Sequence, residues 1–236
     1  MQRQTPVFVI CSSRPRVGKT LLARAFAESF LSEGRAVAAF DVNPDEFALV
    51  DYLPGYTAVA TINDTRGEMA LFDQLIAVDG VPKIVDLGQV LFDRFFGVLQ
   101  KIDFVREAGR RSVAPMVLFL ADPDQRSRQG YTMLRDRFPD LALVPVFNEA
   151  VPGVARGRDG FPPTRQGGAP ITIPQLAPVL KAVIERPGFS FAAYGANATD
   201  PTSELYGWTR RVFLQFRELE LRLLLTKLKP ALKFSA

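Results

Sequence analysis

The sequence predicts an α/β fold with a mostly parallel, doubly wound sheet that carries helices on both faces. Short apolar runs, which are typical of buried strands, alternate along the chain with longer segments of helical periodicity. Polar residues follow several of these runs, at the positions where parallel sheets bind their ligands. With 236 residues and an apolar content of 47%, the chain is long enough for one large core.

Six apolar runs are predicted to be strands. They lack the alternation of apolar and polar residues that marks a strand with one exposed face, so we expect them to be buried on both faces. The predicted strands are residues 7–10, 36–40, 83–88, 116–121, 141–147 and 171–173.

Helices are predicted between and after these strands. Apolar residues recur at helical spacing in five segments, which are residues 20–30, 68–77, 91–110, 174–185 and 204–229. Pro230 is expected to end the last helix. Another helix is predicted to begin with a capping box formed by Asp122 and Gln125. Residues 152–170 and 187–202 are rich in glycine, proline or alanine and are predicted to be loops.

Composition restricts the chemistry that the protein can perform. The chain has a single cysteine, Cys11, and no histidine. This excludes an intramolecular disulfide, histidine metal ligands and nucleophiles activated by histidine. The sequence has no apolar run long enough to span a membrane, and basic residues interrupt its beginning where a signal peptide would be apolar. We therefore expect a cytosolic protein whose chemistry rests on carboxylates, Lys, Arg, hydroxyl groups and backbone dipoles.

One segment has the composition of a phosphate site. It consists of Ser13, Arg14, Pro15, Arg16, Val17, Gly18, Lys19 and Thr20. The segment lies between a predicted buried strand and a predicted helix, so the amides at the helix N-terminus would face a bound anion. Lys19 would supply an ammonium group for the β- and γ-phosphates, and the Thr20 hydroxyl would bind Mg²⁺. The alternative is a chance Gly-Lys-Thr sequence at an ordinary turn.

This loop resembles the deviant Walker A motif of the ParA/MinD family of P-loop ATPases, which reads Lys-Gly-Gly-x-Gly-Lys-[Ser/Thr]. Lys19 and Thr20 match the end of the motif, whereas Arg14 replaces the signature lysine and Pro15-Arg16 replaces a glycine pair. Proline lacks a backbone donor, and neither replacement adopts a positive φ as readily as glycine. We therefore expect the loop to wrap phosphate differently from the family motif.

The resemblance implies that residues 13–20 bind ATP, with Lys19 on the phosphates and Thr20 on Mg²⁺. It also implies a homodimer in which Arg14 performs the task of the signature lysine and contacts the nucleotide of the partner subunit. A guanidinium group suits this role because it can bind phosphate through two parallel hydrogen bonds. Arg16 is either a second phosphate ligand or a solvated side chain.

The segment Asp41-Val42-Asn43-Pro44-Asp45 is similar to the family's Asp-x-Asp-Pro-Gln switch, whose second aspartate helps to position the attacking water. Asn43 occupies that second position. An amide can orient water but cannot accept its proton, so we expect slow ATP hydrolysis unless Asp41 or Asp45 substitutes. The alternative is the ordinary turn chemistry of Asn-Pro-Asp.

Two other strand ends match the family. Asp86 resembles the Walker B aspartate, which holds Mg²⁺ through water, and Gly88 would donate its amide near the γ-phosphate. The alternative for Asp86 is a cap on the next helix. Asn148 lies where related proteins place an asparagine that recognises adenine, and the alternative is a turn residue.

The C-terminal segment, residues 204–236, is predicted to be a basic amphipathic helix that follows a nucleotide-binding domain at residues 1–203. The segment contains seven Lys or Arg and three Glu, a net charge of +4, and the rest of the chain is neutral overall. One apolar stripe consists of Leu205, Trp208, Val212, Phe216, Leu219 and Leu223, and a second consists of Leu221, Leu225, Leu228 and Leu232.

Two interpretations of this helix stay open. It either packs on the sheet, or it binds a membrane surface or a partner helix, as in MinD-type proteins. Membrane binding would give a peripheral location at the inner face of the membrane. The basic charge would also suit nucleic acid.

Together these features predict a P-loop ATPase that binds ATP and Mg²⁺ and acts as a nucleotide-dependent dimer switch in positioning, partitioning or assembly. The resemblance extends over roughly residues 6–185 in the order of the elements. A non-hydrolysing scaffold or binding protein is an alternative, suggested by Pro15-Arg16 and Asn43. A small-molecule kinase or amidotransferase-type enzyme of the same superfamily is another.

Overall fold

The computed structural model describes residues 4–43, 49–164, 166–186 and 188–231, with side chains of the last range described up to Leu223. Seven strands are present in these residues: β1 (Thr5–Cys11), β2 (Ala38–Val42), β3 (Thr57–Val59), β4 (Lys83–Leu87), β5 (Val113–Leu120), β6 (Ala142–Asn148) and β7 (Ile171–Ile173). They form one sheet in the order β3-β2-β4-β1-β5-β6-β7. Each neighbouring pair is parallel.

All six predicted strands are present, with shifts of a few residues at their ends, and the prediction of a parallel sheet is confirmed. The short strand β3 was not predicted. It lies at the edge of the sheet, pairs only with β2, and exposes Ala58 and Val59. With only three residues, two of them exposed, it is too short for its apolar pattern to predict a strand.

Nine α-helices are present in the described residues. They are α1 (Lys19–Ser32), α2 (Leu49–Tyr52), α3 (Thr65–Ile76), α4 (Phe92–Lys101), α5 (Phe104–Arg110), α6 (Gln125–Arg137), α7 (Pro178–Ile184), α8 (Phe191–Asn197) and α9 (Glu204–Ala231). Short 3₁₀ helices cover Gln89–Leu91 and Val154–Gly160.

Two of the helix predictions between residues 91 and 137 are wrong. The predicted helix 91–110 is divided into α4 and α5 because Asp103 adopts a left-handed φ of 49°, which a helix interior does not accommodate. The capping box at Asp122 is also wrong. Asp122 accepts a hydrogen bond from the Asp124 amide at 3.0 Å, and the Asp124 carboxylate caps α6 by accepting from the Ser127 amide at 2.7 Å.

The C-terminal part of the chain is more helical than the sequence predicts. The predicted loop 187–202 contains α8, whose first turn is capped by the Ser190 hydroxyl. The helix predicted at 174–185 is limited to α7, which begins with Pro178. The last helix, α9, ends at Ala231, one residue beyond Pro230.

Helices cover both faces of the sheet, as the prediction of a doubly wound fold requires. On one face, α1 packs against α9, with the rings of Phe26 and Phe216 4.4 Å apart. On the other face, Phe72 of α3 lies 5.3 Å from Phe95 of α4 and 5.4 Å from Phe104 of α5. Right-handed crossovers explain this division, because the chain moves from β1 to β2 in one direction along the sheet and from β3 to β5 in the other.

The first half of α9 is part of the core. Its predicted apolar stripe is buried from Leu205 to Leu219, and Leu223 is partly buried. The Gln215 side chain pairs with the sheet edge: its oxygen accepts from the Thr172 amide at 2.8 Å and its nitrogen donates to the Thr172 carbonyl at 2.7 Å. Residues 204–219 therefore complete the sheet-based domain.

The second half of α9 differs from the first. Leu221, the first member of the second predicted stripe, is 57% exposed. The side chains of Leu225 and Leu228, and the whole of Leu232, lie outside the described part of the chain. Among the helices that the structure describes, none has both the length and the apolar character of a membrane-spanning helix.

Candidate functional site

The predicted phosphate loop joins the central strand β1 to the N-terminus of α1. Strand β1 lies between β4 and β5, so the loop is at the carboxyl edge of the sheet, next to the ends of both neighbours. Gly18 precedes the helix with a left-handed φ of 96°, and Lys19 is the first helical residue. The first amides of α1, which have no partners within the helix, therefore face the loop.

Side chains hold the beginning of the loop, where the glycines of the family motif are missing. The Ser12 hydroxyl donates to the Leu120 carbonyl at 2.8 Å, and the Ser13 hydroxyl donates to the Arg126 carbonyl at 3.1 Å. Arg14 Nε lies 2.8 Å from Asp124 Oδ2. The connection between β5 and α6 thus fixes the loop that follows β1.

The backbone in the middle of the loop has a conformation that is typical of glycine. Arg16 adopts a φ of 56°, a conformation that glycine takes readily and arginine rarely takes. Pro15 and Arg16 are both exposed. The loop keeps a positive-φ backbone although its sequence has no glycine at this position.

Lys19, Thr20 and Asp86 lie at the end of the loop. The Lys19 ammonium donates to the Arg14 carbonyl at 3.2 Å, and the Thr20 hydroxyl donates to Asp86 Oδ2 at 2.6 Å. The other oxygen of Asp86 is buried, and it has no hydrogen-bond partner among the described residues. Mg²⁺ prefers hydroxyl and carboxylate oxygens, so this donor pair fits the predicted cation.

Burial controls the charge of Asp86. Its residue is fully buried, and this burial raises the pKa of the carboxyl from its usual 3.8 to about 6. The hydrogen bond from Thr20 opposes the rise, the nearby Asp41 carboxylate adds to it, and the Lys19 charge opposes it. Asp86 is therefore ionised at neutral pH at an energetic cost that a bound cation would reduce.

Asp41 caps a helix. It is the register neighbour of Asp86 on the adjacent strand, and its Oδ2 accepts from the amides of Leu49 and Val50 at 2.9 and 3.2 Å. These amides begin α2. The structure thus gives Asp41 a structural task besides the predicted orientation of water. Asp45 lies outside the described residues.

Asn43 and Gly88 lie against each other, since a Cβ atom on Gly88 would clash with the Asn43 side-chain oxygen. The Gly88 amide donates to the Val42 carbonyl at 2.9 Å. Donation to a γ-phosphate, as predicted, would require that backbone hydrogen bond to open.

Asn148 holds the phosphate loop. Its Nδ2 donates to the Val17 carbonyl at 2.9 Å, and its oxygen accepts from the Ala150 amide at 3.1 Å. A Cβ atom on Gly18 would lie 2.6 Å from the same Nδ2. The loop therefore needs glycine at position 18 both for its φ and for the close approach of Asn148. Recognition of adenine by Asn148 stays a prediction.

A cavity of about 770 Å³ opens beside the loop. Pro15, Arg16, Gly18, Lys19 and Thr20 line one side of it, and Asn43 and Asn148 also contribute. Its other walls include Tyr52, Ile173, Pro174, Leu176, Ile184 and Trp208. A volume of this order accommodates a nucleotide-sized ligand. Six of the predicted site residues do not line this cavity: Ser13, Arg14, Val17, Asp41, Asp86 and Gly88.

A buried ion pair that was not predicted from the sequence lies one turn beyond the loop. Arg24 and Glu28 are both within α1, have almost no exposed side-chain surface, and meet at 3.0 Å. Arg24 stacks 4.3 Å from the Tyr52 ring and donates to the Ile184 carbonyl at 2.6 Å. Opposite charges four residues apart on an apolar helix face were the signal available in the sequence.

A second cavity, of about 490 Å³, lies at the amino ends of the strands, near residues 34–36 before β2 and residues 78–82 before β4. Its one arginine, Arg35, is engaged by Glu33 at 3.2 Å and by Glu220 at 2.8 Å. This cavity is remote from the phosphate loop and contributes nothing to the candidate site.

The parallel sheet, the loop after its central strand and the Thr20–Asp86 pair define an α/β protein with the P-loop NTPase fold. Comparison with solved structures identifies the proteins whose fold is similar. The chain is similar to a ParA family ATPase from Chlorobium tepidum TLS, with 15% identity, a TM-score of 0.53, and coverage of 90% of this chain and 98% of that chain. At this identity the likeness shows the fold alone.

MinD structures give the same result. The chain is similar to the MinD cell division protein of Aquifex aeolicus, with 13% identity, a TM-score of 0.54, and coverage of 91% and 97% of the two chains. A MinC:MinD cell division protein complex from the same organism matches with 13% identity, a TM-score of 0.53, and coverage of 91% and 96%. No protein-family model and no curated protein matches the sequence. The chain is a divergent protein with the fold of ParA and MinD.

Proposed function

We propose that this chain binds ATP together with Mg²⁺ and acts as a nucleotide-dependent dimer switch. The observation that supports this most strongly is the meeting of Lys19, the Thr20–Asp86 pair and the N-terminal amides of α1 beside a cavity of about 770 Å³. The likeness to the folds of a ParA family ATPase and MinD supports the same function.

Each of these groups has a role that its chemistry suits. The α1 amides and Lys19 would bind the phosphates, and the Thr20 hydroxyl would contact Mg²⁺ with Asp86 behind it. A bound Mg²⁺ would neutralise phosphate charge. Asp86 would then stay ionised below its present pKa of about 6, because a nearby cation favours the carboxylate.

ATP turnover should be slow. The Asp41 carboxylate accepts hydrogen bonds from two backbone amides of α2. The side-chain amide of Asn43 cannot accept a proton from water. These two observations also favour the second candidate, a protein that binds ATP and does not hydrolyse it. Both candidates share the binding site and differ only in phosphate release.

The proposed dimer would place Arg14 near the nucleotide of the partner subunit. Arg14 is partly exposed at the beginning of the loop, where its side chain is accessible from outside the subunit. A membrane surface or a protein partner would be contacted through the end of α9, where Leu221 is exposed. A peripheral position at a membrane would follow from such a contact.

Sedimentation velocity and phosphate release together test the proposal. We expect the protein to be a monomer without nucleotide or with ADP and a dimer with a non-hydrolysable ATP analogue and Mg²⁺. Slow phosphate release would support the ATPase, and its absence with intact binding would support the non-hydrolysing protein. The same sedimentation coefficient in all three nucleotide states would contradict the dimer switch.

A further inference from the structure

The beginning of the phosphate loop is held by a carboxylate that the nucleotide site does not need. Arg14 Nε lies 2.8 Å from Asp124 Oδ2, and the two side chains are 38% and 32% exposed. Arg14 Nε makes no well-aligned hydrogen bond within the described residues. The contact is therefore mainly electrostatic, and both side chains are partly exposed although the Arg14 Nε atom itself is buried.

Asp124 is fixed in place by the start of α6. Its Oδ1 accepts from the Ser127 amide at 2.7 Å, and its own amide donates to Asp122 Oδ1 at 3.0 Å. The carboxylate that faces Arg14 is therefore held by the start of α6, and Arg14, with its longer side chain, is the partner better able to move. An arginine side chain has the length and rotatable bonds to leave such a contact.

Arg14 is close to the proposed position of the phosphates. Its carbonyl accepts a hydrogen bond from the Lys19 ammonium at 3.2 Å, so the residue borders the group that would bind the β- and γ-phosphates. A guanidinium binds phosphate more strongly than it binds one partly exposed carboxylate, because phosphate offers more charge and two oxygens in suitable geometry.

We propose that, before dimerisation, Asp124 is a positioning residue that holds Arg14 away from the phosphate site of its own subunit until a nucleoside triphosphate draws it in. Contact with the nucleotide of a partner subunit would follow only in the dimer. This inference rests on the proposed nucleotide binding. A triphosphate has the additional negative group that can compete with Asp124, whereas a diphosphate lacks it. Asp124 therefore lowers the affinity of the site for triphosphates, which must draw Arg14 away from it, and leaves the affinity for diphosphates nearly unchanged.

The variant Asp124→Asn separates this role from helix capping. Asparagine caps helices as well as aspartate does, so α6 should be retained, and the charge facing Arg14 is lost. We expect Asp124→Asn to bind a non-hydrolysable ATP analogue about three-fold more tightly than the wild type, in line with the modest strength of a partly exposed ion pair. Its affinity for ADP should change by less than about two-fold.

Calorimetric titration of both nucleotides measures these affinities in the full chain. Asp124→Glu, which keeps the charge, should restore the wild-type preference. Asp136→Asn is a matched control, because Asp136 forms an exposed pair with Arg135 on the same helix at 3.2 Å. Its affinities should equal those of the wild type.

A double-mutant cycle decides whether Asp124 acts through Arg14. In the background Arg14→Gln, the change Asp124→Asn should leave both affinities unaltered. The inference is overturned if Asp124→Asn binds the triphosphate no more tightly than the wild type, or if it gains equally in the Arg14→Gln background. If the wild type binds neither nucleotide, the proposed function fails first and this inference fails with it.

Discussion

At the scale of single residues, the site depends on close contacts that were invisible in the sequence pattern. Gly18 combines a φ of 96° with a separation of 2.6 Å between its would-be Cβ and Asn148 Nδ2. Asn148 in turn donates to the carbonyl of Val17. The loop and the end of β6 are thus fitted to each other without space for a methyl group.

We expect Gly18→Ala to destabilise the protein by about 2 kcal/mol, because alanine is strained at this φ and Asn148 must move and lose its bond to Val17. Urea denaturation measures the loss. Gly97→Ala is the control: Gly97 lies inside α4, and nothing lies within 4 Å of its would-be Cβ. That change should stabilise the protein by up to about 1 kcal/mol. Equal effects of the two substitutions would contradict the described loop geometry.

Asp86 gives a prediction that depends on pH. Its pKa is raised to about 6 in the folded protein, so the ionised carboxyl lowers the free energy of unfolding. This loss of stability is absent below the ordinary aspartate pKa and grows until the pH passes 6. Asp86→Asn removes this cost while the Thr20 hydroxyl keeps an acceptor. The variant should therefore exceed the wild type in stability by about 2 kcal/mol at pH 8 and by almost nothing at pH 3.5.

Denaturation of both proteins at the two pH values tests this prediction. Asp73→Asn, at an exposed position of α3, controls for the loss of one negative charge. A stability difference for Asp86→Asn that is the same at both pH values would show that burial does not raise the pKa of Asp86.

In the nucleotide experiments, the same variant should lose the Mg²⁺-dependent part of the affinity for ATP.

Several residues of the site were predictable and others were not. Lys19, Thr20 and Asp86 follow from strand ends and a short motif, and the structure brings Thr20 and Asp86 into contact. Asn148 was predicted at the site as an adenine contact, but its hydrogen bond to the loop was not, and the contact of Asp124 with the loop was not predicted either. Both residues act on the loop from segments more than a hundred residues away. Such contacts depend on which strands are neighbours in the sheet, and a single sequence does not contain that information.

At the scale of elements, α9 has two parts with different surroundings. From Leu205 to Leu219 its apolar stripe is buried, and Phe216 packs on Phe26 of α1. Beyond this part, Leu221 is exposed. The sequence indicated both stripes but could not show which of them meets the core, because both have helical spacing.

We expect Phe216→Ala to destabilise the domain by about 4 kcal/mol, since a fully buried aromatic ring is removed from the contact between α1 and α9. Truncation after Leu223 should leave the melting temperature within a few degrees, because the contacts of Gln215 and Glu220 are retained. Thermal unfolding followed by circular dichroism measures both effects. A large loss of stability on truncation would show that the end of α9 also belongs to the core.

Truncation also tests the proposed contact of the C-terminal end. The removed segment carries Lys227, Lys229 and Lys233, and the shortened chain should bind less to vesicles that contain anionic lipid. Vesicles of neutral lipid should bind neither protein. Equal binding of the full and shortened chains to anionic vesicles would contradict a membrane role for this segment.

At the scale of the whole molecule, the fold was largely predictable because its signals are local. Buried strands and amphipathic helices leave apolar patterns in the sequence, and right-handed crossovers then limit how they assemble. The exceptions are short or weakly apolar elements such as β3 and α8. Their conformation depends on neighbours, β2 for the former and α1 for the latter.

The central claim is that the loop between β1 and α1 binds a nucleotide. Calorimetric titration of ATP with Mg²⁺ into the wild type and into Lys19→Ala tests it most directly. We predict saturable binding of one ATP per chain to the wild type and an affinity lower by on the order of 100-fold for Lys19→Ala, because a charge-assisted contact to phosphate is lost. Equal affinities for the two proteins, or no binding to the wild type, would contradict the assignment of this loop as a phosphate site.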